Sequence, residues 1–455
     1  MQRREIGYVA DSATLVARFA AETWTIFLDS GLAPSPRRQI DLLLRQPRMW
    51  IWEDAAGIWT QRPGATARQS SGSLFDCLRA ALKQAQSGGQ NEVFPLLSGF
   101  LSYDWGVRQE LGRGMAAERP LAVFALYDHG LLQDHDQQRA WIHGDDAAQE
   151  DWLAALAHRP AHGIFTLREP GITPRWSYAD YATAFARVQG YIRAGDCYQI
   201  NLAQDFTGTW DGDPWTLYAQ LRGKSRAPFS VFFRHPWGAL LSVSPERLLR
   251  LQDGRLEARP IKGTRRRGSN PQEDRALTEE LLRSEKDRAE NLMIVDLLRN
   301  DLGKVARPGS VCVPELFGLE SYDQVHHLVS SIEADLAPAW DAWDALAAAF
   351  PGGSITGAPK RRAMEIIEEL EHGARGLYCG SFGYVTVDGA MDWNILIRSL
   401  ELRDDGSLIF QGGGAVVADS DCAAEYAECL SKVAILRSTV EEFLPQTVGC
   451  ARVAP

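Results

Sequence analysis

The sequence predicts an α+β fold in which large antiparallel sheets form a β-sandwich-like core flanked by outer helices. Strand-like and helical segments are grouped separately along the chain, which favours antiparallel sheets over the regular strand–helix alternation of a doubly wound sheet. The 455 residues are 45% hydrophobic and 24% charged, as is usual for globular proteins. The composition therefore excludes a disordered chain, a collagen and a simple coiled coil.

Several elements of this fold are recognisable from local signals. Ser177 is a predicted helix N-cap with an acidic residue three positions later, and Gly195 stands where that helix should end. The pair Asp253-Gly254 favours a type I′ turn between two strands. Residues 271–304 are predicted to be helical in two pieces.

The last hundred residues repeat the grouping of strands before a helix. Strands are predicted around residues 379–387, 393–401 and 407–411. A run of three glycines then follows the last strand, and a long helix is predicted from about residue 421 to 443. This order again favours antiparallel sheets with helices outside them.

The chain is predicted to have two parts. A polar, charged and turn-rich stretch from Gln133 to Gly163 is the clearest change in composition. We expect an N-terminal lobe over residues 1–165 and a catalytic domain over residues 166–445. The alternative is a surface excursion within one domain.

Charge and cysteine content restrict the environment. The formal net charge is −11, which is not the basic footprint of a nucleic-acid-binding protein. No apolar run reaches the roughly 18 residues of a membrane helix, and no secretory signal is recognisable. The seven cysteines form no CxxC pair, as expected for free thiols in a reducing compartment. We therefore expect a cytoplasmic protein without nucleic-acid or membrane partners.

Two predicted helices each present a pair of carboxylates. Asp287 and Glu290 are three residues apart, as are Glu425 and Glu428, and Lys432 follows one turn after Glu428. Carboxylates facing each other from two helices could hold a divalent cation such as Mg²⁺, which takes one or two protein carboxylates. The alternative is two ordinary solvated helix faces.

Four further residues carry functional groups in unusual surroundings. Lys262 lies between a proline and a glycine at the end of a predicted strand, where loss of water would make its amine nucleophilic. Glu246 could act as a general acid or base, and His327 lies in an apolar run. Arg398 interrupts an apolar strand and needs an anionic partner, either a substrate carboxylate or a nearby acidic side chain. For the other three, the alternatives are an exposed lysine, a surface carboxylate and a core histidine.

Two glycine-rich segments are candidate anion sites. The loop GGSITGAP, which contains Ser354, leads into a helix, and its amides could bind an anion. Gly412, Gly413 and Gly414 can bring backbone amides close to a ligand, although they do not match a dinucleotide-binding motif. Plain turns are the alternative for both segments.

Taken in order, these segments resemble the chorismate-using enzyme family. That family includes anthranilate synthase component I, isochorismate synthases, salicylate synthases and aminodeoxychorismate synthase component I. The resemblance runs from about residue 175 to 440, and a weaker one extends into the N-terminal part. The segments that carry it are SPE, PIKGT, RAENLMIVDLLRNDLGKV, HHLVSSI, FPGGSITGAPKRRAMEII, GLYCGSFGY, NILIRS, GGGAVV and EYAECLSK.

Individual positions favour one branch of the family. Members that form isochorismate or salicylate carry a lysine where this chain has Gln199, and anthranilate synthases usually carry PIAGT where this chain has Lys262 in PIKGT. Asn291 and Ser354 point the same way. The resemblance thus implies the aminodeoxychorismate synthase branch. The alternatives are anthranilate synthase component I and a non-catalytic chorismate-binding subunit.

The resemblance also implies roles for the candidate residues. Lys262 would attack C2 of chorismate as the C4 hydroxyl departs, and ammonia would then add at C4 to give 4-amino-4-deoxychorismate. Glu246 would be the general acid or base, and His327 would assist loss of the hydroxyl. The implied Mg²⁺ ligands are Glu290 and Glu428, with Asp287 and Glu425 acting through water. The implied substrate-binding set is Gln199, Ser354, Tyr378, Arg398, Gly412, Gly413, Gly414 and Lys432.

Two partners follow from the same resemblance. Ammonia would come from a separate glutamine amidotransferase subunit in a heterodimer, or from solution at high concentration, because no amidotransferase motif is found in this sequence. Tryptophan is a possible ligand of the N-terminal lobe, with an ordinary packed loop as the alternative. The residues matching that site are Ser30, Arg37, Arg38, Gln39, Ile40, Pro228, Phe229 and Ser230.

Overall fold

A computed structural model describes residues 2–31, 39–85, 93–114, 119–160, 163–322 and 325–445. Its strands are β1 Gln2–Ile6, β2 Ile26–Asp29, β3 Ile40–Leu44, β4 Met49–Asp54, β5 Gly57–Gln61, β6 Arg68–Ser70, β7 Leu96–Leu101, β8 Ala122–Tyr127, β9 Gly130–Asp134, β10 Arg139–Gly144, β11 Phe165–Leu167, β12 Thr173–Pro174, β13 Gln199–Gly212, β14 Phe229–His235, β15 Gly238–Ser244, β16 Arg247–Gln252, β17 Arg255–Ala258, β18 Ile261–Arg266, β19 Cys312–Ser321, β20 Val325–Asp335, β21 Gly357–Ala358, β22 Ser381–Thr386, β23 Met391–Asn394, β24 Ser399–Arg403 and β25 Ser407–Val416.

The helices lie between these strands. They are α1 Ala13–Val16, α2 Leu74–Ala85, α3 Tyr103–Leu111, α4 Asp146–Ala157, α5 Tyr178–Ala194, α6 Pro214–Ser225, α7 Pro271–Arg283, α8 Glu285–Gly303, α9 Ala342–Ala349, α10 Lys360–Glu371 and α11 Cys422–Glu441, with a short 3₁₀ helix at Gly353–Ile355. Among the helices of the described ranges, none combines the length and the apolar character that crossing a membrane requires.

Two large antiparallel sheets contain the strands. The first sheet has the order β1-β10-β9-β3-β2-β14-β15-β24-β25-β13-β11, with β12 and β21 also paired to β13. The second has the order β18-β20-β17-β16-β23-β22-β7-β8-β4-β5-β6, with β19 paired to β20. The predicted fold class is therefore confirmed.

The sheets pack face to face around an aromatic and aliphatic core. Ile26, Leu44 and Phe233 of the first sheet belong to the same buried cluster as Phe100 and Phe382 of the second. Such interdigitation of two inner faces is the packing of a β-sandwich. Helices cover the outer faces, with α6 and α11 on the first sheet and α8 and α9 on the second.

Both sheets contain strands from both predicted parts of the chain. In the first sheet Phe27 of β2 is opposite Phe232 of β14. In the second, Phe100 of β7 is opposite Phe382 of β22. Hydrogen bonding thus joins residues on the two sides of position 165, and the division into residues 1–165 and 166–445 stays a prediction.

Most local predictions agree with the structure. Ser177 caps α5 in a capping box with Asp180, and Gly195 ends that helix in the left-handed conformation. Asp253 and Gly254 both have positive φ, as a type I′ turn requires. Ser284 separates α7 from α8, and its side chain caps α8.

Two predictions about the last strands are wrong. The glycine run does not follow a strand, because β25 extends through it to Val416. The segment 393–401 is not one strand, since β23 ends at Asn394 and β24 begins at Ser399. A left-handed Arg398, at φ 52°, lies in the break between them.

Close packing of the second sheet predicts a stability difference between two glycines. A Cβ at Gly99 of β7 would lie 2.0 Å from the carbonyl oxygen of Val123, whereas a Cβ at Gly190 of α5 would meet nothing within 4 Å. We expect Gly99→Ala to lower the free energy of unfolding by about 1–3 kcal/mol. Gly190→Ala should instead raise it by roughly 0.5–1 kcal/mol, because alanine favours a helix interior. Urea unfolding followed by circular dichroism measures both, and equal effects of the two variants would contradict this packing.

Candidate active site

Lys262 occupies an irregularity in the second sheet. It lies in β18, and the pairing of β18 with β20 shifts register between Ile261 and Thr264. A β-bulge of this kind re-aims a side chain, and Gly263 supplies the positive φ of 81°. The expected strand end is therefore a bulge within a strand, and this bulge sets the direction of the lysine.

The Lys262 amine is half-buried and surrounded by acidic groups. Its Nζ donates a hydrogen bond to the Ser354 carbonyl at 3.4 Å. Burial lowers the pKa of the amine, while the charges of Glu246 and Glu290 oppose that shift. The net lowering increases the uncharged fraction at any pH near neutrality, which is the form that can attack an electrophile. The simple alternative of an exposed turn lysine is wrong.

Glu246 is a buried acid next to this amine. Its amide hydrogen-bonds the Ser244 hydroxyl at 3.2 Å, and its carbonyl accepts from the Ile395 amide at 3.0 Å. Burial raises the pKa of its carboxyl, and Lys262, a Ser354 hydrogen bond and Lys432 act in the opposite direction. A carboxyl with a raised pKa on a fixed backbone is suited to general acid–base catalysis.

The two predicted carboxylate pairs come together between α8 and α11. Lys286 links them, with its Nζ 3.6 Å from Glu425 Oε1 and 4.0 Å from Glu290 Oε1. Lys432 Nζ lies 2.7 Å from Glu428 Oε1. The two helix faces therefore lie against each other, and their role as a metal site stays a prediction.

The two proposed metal ligands have different pKa shifts. Burial raises the pKa of Glu290. Burial would also raise the pKa of Glu428, but the charge and hydrogen bond of Lys432 outweigh it and the pKa is lowered. Glu428 is thus stabilised as a carboxylate, whereas Glu290 gains from any additional positive charge placed beside it.

The other member of each pair already has a protein partner. Arg265 donates to Asp287 Oδ2 at 3.1 Å, and the Ser420 hydroxyl donates to Glu425 Oε1 at 2.7 Å. Their remaining oxygens are compatible with contact through water, as the resemblance implies. Direct ligation by all four carboxylates is not supported by this pairing.

These residues fit a magnesium ion only in its usual sparse protein coordination. In the described ranges, no group of three or more His, Cys, Asp or Glu side chains is arranged to hold a metal ion. Mg²⁺ normally takes one or two carboxylates and fills its other positions with water and substrate oxygens. A Cβ at Gly414 would lie 3.2 Å from Glu425 Oε2 and 3.7 Å from Glu428 Oε1, so glycine leaves space beside these carboxylates.

Arg398 is a half-buried cation awaiting an anion. Its carbonyl accepts from the Val243 amide at 3.0 Å, which fixes the left-handed backbone. Burial lowers the pKa of the guanidinium, and the charge of Glu246 opposes this. Within the ranges that the structure describes, no hydrogen bond or ion pair engages the guanidinium. Because a buried charge without a partner is costly, an anionic ligand stays the predicted partner.

His327 is neutral at physiological pH in this structure. Its Nδ1 lies 2.9 Å from the Thr264 hydroxyl. Burial, with a further contribution from the charge of Arg398, lowers its pKa to about 4. The histidine therefore begins as an uncharged imidazole, and a negative ligand on Arg398 would raise its pKa by offsetting that charge.

Gln199 and Tyr378 lie on the wall of the site formed by β13 and the following segments. Both amide atoms of Gln199 are buried without a hydrogen-bond partner among the described residues. The Tyr378 hydroxyl is buried next to the Asn201 side chain, and burial raises its pKa well above the usual value. Unsatisfied buried amide atoms are uncommon in proteins and point to a ligand or water at this wall.

The glycine run has one strand edge without a neighbouring strand. β13 pairs with β25 as far as Val416, but the pairing of β24 with β25 ends at Phe410. Gly412, Gly413 and Gly414 therefore lie where one side of β25 has no described strand beside it. Their backbone groups on that side are candidates for anion binding.

The structure brings some of the residues predicted to bind tryptophan close together. The Ser30 amide and hydroxyl both donate to Asp41 Oδ1, at 2.8 and 2.7 Å, and Gln39 Nε2 reaches the Ser30 carbonyl at 3.4 Å. Ser230 follows Pro228 and Phe229 and is opposite Asp29 in the sheet, next to Ser30. Ile40 begins β3. Arg37 and Arg38 lie outside the described residues.

Two residues at the site were not predicted from the sequence. Lys286 lies one helical turn before Glu290, and this spacing was a usable signal. Arg375 makes several buried contacts with the wall around Asn201 and Tyr378. No local pattern distinguishes it from an ordinary loop arginine.

Fold and site together define a class of enzyme. A β-sandwich with outer helices carries, at one place, a desolvated amine, a buried acid, an arginine without a partner among the described residues and facing glutamates. The chain belongs to the chorismate binding enzyme family, whose sequence profile matches residues 40–438. It is thus a member of a family of chorismate-utilising enzymes.

Particular relatives make the comparison more specific. The chain is 43% identical to aminodeoxychorismate synthase component 1 of Klebsiella aerogenes, over 91% of this chain and 93% of that protein. It is 41% identical to the protein of the same name from Escherichia coli K12, over 92% and 93%. Among solved structures, anthranilate synthase component I from Streptococcus pneumoniae TIGR4 has a TM-score of 0.77 and 26% identity, over 88% and 93% of the two chains.

The arrangement around Lys262 predicts how its titration responds to a neighbour. Glu246 raises the pKa of Lys262, so Glu246→Gln should lower that pKa further. We expect the pH midpoint for acetylation of Lys262, followed by peptide mass spectrometry, to move to lower pH in this variant. Lys224, which pairs with Glu442 instead, is the internal control and should not move. A midpoint for Lys262 that stays in place or rises would contradict the arrangement.

Proposed function

We propose that this chain aminates chorismate at C4 with ammonia and so forms 4-amino-4-deoxychorismate for para-aminobenzoate synthesis. The observation that carries the proposal is the half-buried Lys262 amine, whose pKa burial lowers, next to the buried Glu246 carboxyl. The names and high coverage of the two bacterial relatives support the same reaction.

The first half of the reaction forms a covalent adduct. The lone pair of Lys262 attacks C2 of the ring, the two ring double bonds shift, and the C4–O bond breaks. Hydroxide is a poor leaving group, so the oxygen must receive a proton and depart as water. Glu246 would accept the proton that the attacking amine releases.

His327 is the candidate for delivering the proton to the C4 hydroxyl. Its pKa is about 4 in the absence of ligand, partly because of Arg398. A substrate carboxylate bound to Arg398 cancels that charge and raises the proton affinity of His327. Substrate binding would thus prepare the acid that the first step requires.

The second half reverses the first with a different nucleophile. Ammonia adds at C4, the double bonds shift back, and the C2–N bond to Lys262 breaks. Glu246 returns its proton to the departing amine, and the new ammonium group at C4 can return a proton to His327, which restores the enzyme. No net oxidation or reduction occurs, because ammonia replaces water at one carbon.

The carboxylates between α8 and α11 are proposed to hold a cation that neutralises part of the substrate charge. Glu290 and Glu428 would hold Mg²⁺, with Asp287 and Glu425 contacting it through water, and the bound ion would offset the negative charge of the substrate carboxylates. The rest of the substrate would be held by the remaining candidate residues, namely Arg398, Lys432, Tyr378, Ser354, Gln199 and the Gly412–Gly414 amides. The opening beside Gly414 supports this placement.

Two partner proposals complete this function. The relatives are named as component 1, which supports a separate second component. We infer that a glutamine amidotransferase subunit supplies ammonia in a heterodimer. We also propose tryptophan as a ligand near Ser30. The Ser30 amide and hydroxyl are held there by hydrogen bonds to the Asp41 carboxylate.

Anthranilate formation is the second candidate. It is favoured by the likeness to the Streptococcus pneumoniae structure named anthranilate synthase component I. A non-catalytic chorismate-binding subunit is the third, and it predicts binding without turnover. Product analysis separates all three.

Loss of the nucleophile tests the proposed chemistry. With chorismate, MgCl₂ and ammonium chloride, we expect the purified chain to release 4-amino-4-deoxychorismate, detected by liquid chromatography and mass spectrometry. Lys262→Ala should lower the rate by at least about a thousandfold, as removal of a covalent nucleophile does. Lys224→Ala removes a lysine paired to Glu442 and should leave the rate unchanged. Release of anthranilate by the unaltered chain would overturn the proposed reaction, and full activity of Lys262→Ala would remove the adduct.

Loss of one carboxylate tests the proposed magnesium site. Glu428→Gln should raise the Mg²⁺ concentration for half-maximal activity by at least about tenfold, because a neutral amide is a poor ligand for a hard cation. Glu442→Gln, which alters a glutamate paired to Lys224, is the matched control. Isothermal titration with MgCl₂ gives the affinity independently of turnover. Unchanged affinity in Glu428→Gln would remove Glu428 from the site.

A further inference from the structure

Arg375 is a buried arginine with an unusually complete set of partners. It lies just after α10 and is only 4% exposed. Its Nε and Nη2 donate to the two oxygens of Glu371 at 2.8 and 2.7 Å. Nη2 also donates to the Asn201 carbonyl at 2.7 Å, and Nη1 donates to the Ile355 carbonyl at 3.1 Å. The planar guanidinium thus hydrogen-bonds three separate segments at once.

Two of these segments, those of Asn201 and Ile355, carry a candidate substrate-binding side chain. Asn201 lies in β13, two residues after Gln199. Ile355 follows Ser354, whose carbonyl accepts from Lys262. The guanidinium also lies 5.7 Å from the ring centroid of Tyr378. Arg375 therefore connects the backbone positions that set Gln199, Ser354 and Tyr378.

Glu371 extends the same connection. Its Oε1 accepts from the Ala203 amide at 2.9 Å, one more contact with β13. The backbone amides of Arg375 and Gly376 are in turn held by the Asp104 carboxylate, at 3.2 and 2.7 Å. The arginine and its own backbone are both fixed, so the wall has few ways to shift.

Packing does not hold this wall on every side. A cavity of about 390 Å³ is lined by Arg375, Leu377 and Tyr378 but not by Lys262 or Glu246. Side chains that border open space lack the contacts that restrain a close-packed interior. Hydrogen bonds from one rigid guanidinium can supply that restraint instead.

A buried ion pair is a poor device for stability alone. Removing two charges from water costs about as much as their attraction returns, and apolar replacements are often neutral or stabilising. The Arg375–Glu371 pair thus needs an explanation other than general stability. The same guanidinium also donates to the Asn201 and Ile355 carbonyls, and these contacts supply that explanation.

We propose that Arg375 is a positioning residue for chorismate, and that its hydrogen bonds to the Asn201 and Ile355 carbonyls set the wall formed by Gln199, Ser354 and Tyr378. The inference rests on chorismate binding by this family of enzymes and not on which product is formed. Arg375 would act on the substrate only through these neighbours.

Arg375→Lys is the direct test, because lysine keeps the charge and loses the fork. A wall that contacts substrate and transition state alike should affect KM more than kcat. We expect KM for chorismate to rise by about tenfold or more, while kcat changes by less than about threefold. Calorimetric titration with chorismate in the absence of ammonia should show the same loss of affinity.

A second arginine provides a matched control. Arg45 is also 4% exposed, pairs with Glu22 and Asp151, and lies over the rings of Phe19 and Trp152. None of these residues belongs to the candidate site. Arg45→Lys should lower the melting temperature by a comparable amount and leave KM and chorismate affinity unchanged.

Several outcomes would overturn the proposal. Unaltered chorismate affinity in Arg375→Lys would do so, as would an equal rise in KM for Arg45→Lys. If Arg375→Lys does not fold, Glu371→Gln weakens the same pair with little change of shape, and an unchanged KM in that variant counts against the proposal. Because binding is measured without ammonia, formation of anthranilate by the unaltered chain would leave this test intact.

Discussion

The site depends on one balance of charge, namely an amine that is desolvated among carboxylates. Burial favours the neutral form of Lys262, while Glu246 and Glu290 favour its ammonium form. The proposed nucleophile would need both influences, since a fully solvated lysine stays protonated and a lysine without acidic neighbours could not exchange its proton locally. The bulge between Ile261 and Thr264 sets this balance, because it determines which groups the side chain meets.

The sandwich is what brings the opposing charges together. α8 packs on β20 of the second sheet, and α11 packs on β25 of the first. Glu290 and Glu428 therefore come from helices on different sheets. Their approach depends on how the two sheets pack against each other. The glycines of β25 allow α11 to come close, since a Cβ at Gly412 would lie 2.4 Å from Val433 Cγ1. A change in sheet packing would separate these carboxylates before it altered either helix.

Local signals explain what the sequence predicted well. A capping box, a type I′ pair and helical periodicity each depend on neighbours within a few residues, so α5, the hairpin at Asp253 and the division of α7 from α8 were predictable. The bulge at Lys262 and the continuation of β25 through its glycines depend on partner strands far away in the chain. Arg375 was missed for the same reason, because its partners at 201 and 355 are distant in sequence. The residues of the site were named mainly through resemblance, and their pairing became visible only in the fold.

The charge of Arg398 links substrate binding to the protonation state of His327. Arg398 lacks an anion among the described residues, and its charge helps to keep His327 neutral. A substrate carboxylate bound to Arg398 would supply the missing anion. It would also offset the charge that helps to keep His327 neutral. In the proposed reaction, substrate binding would thus raise the pKa of the histidine that protonates the leaving hydroxyl, while burial, the larger cause of its low pKa, would still act in the opposite direction. Proton transfer in the proposed reaction would therefore be coupled to substrate binding through Arg398.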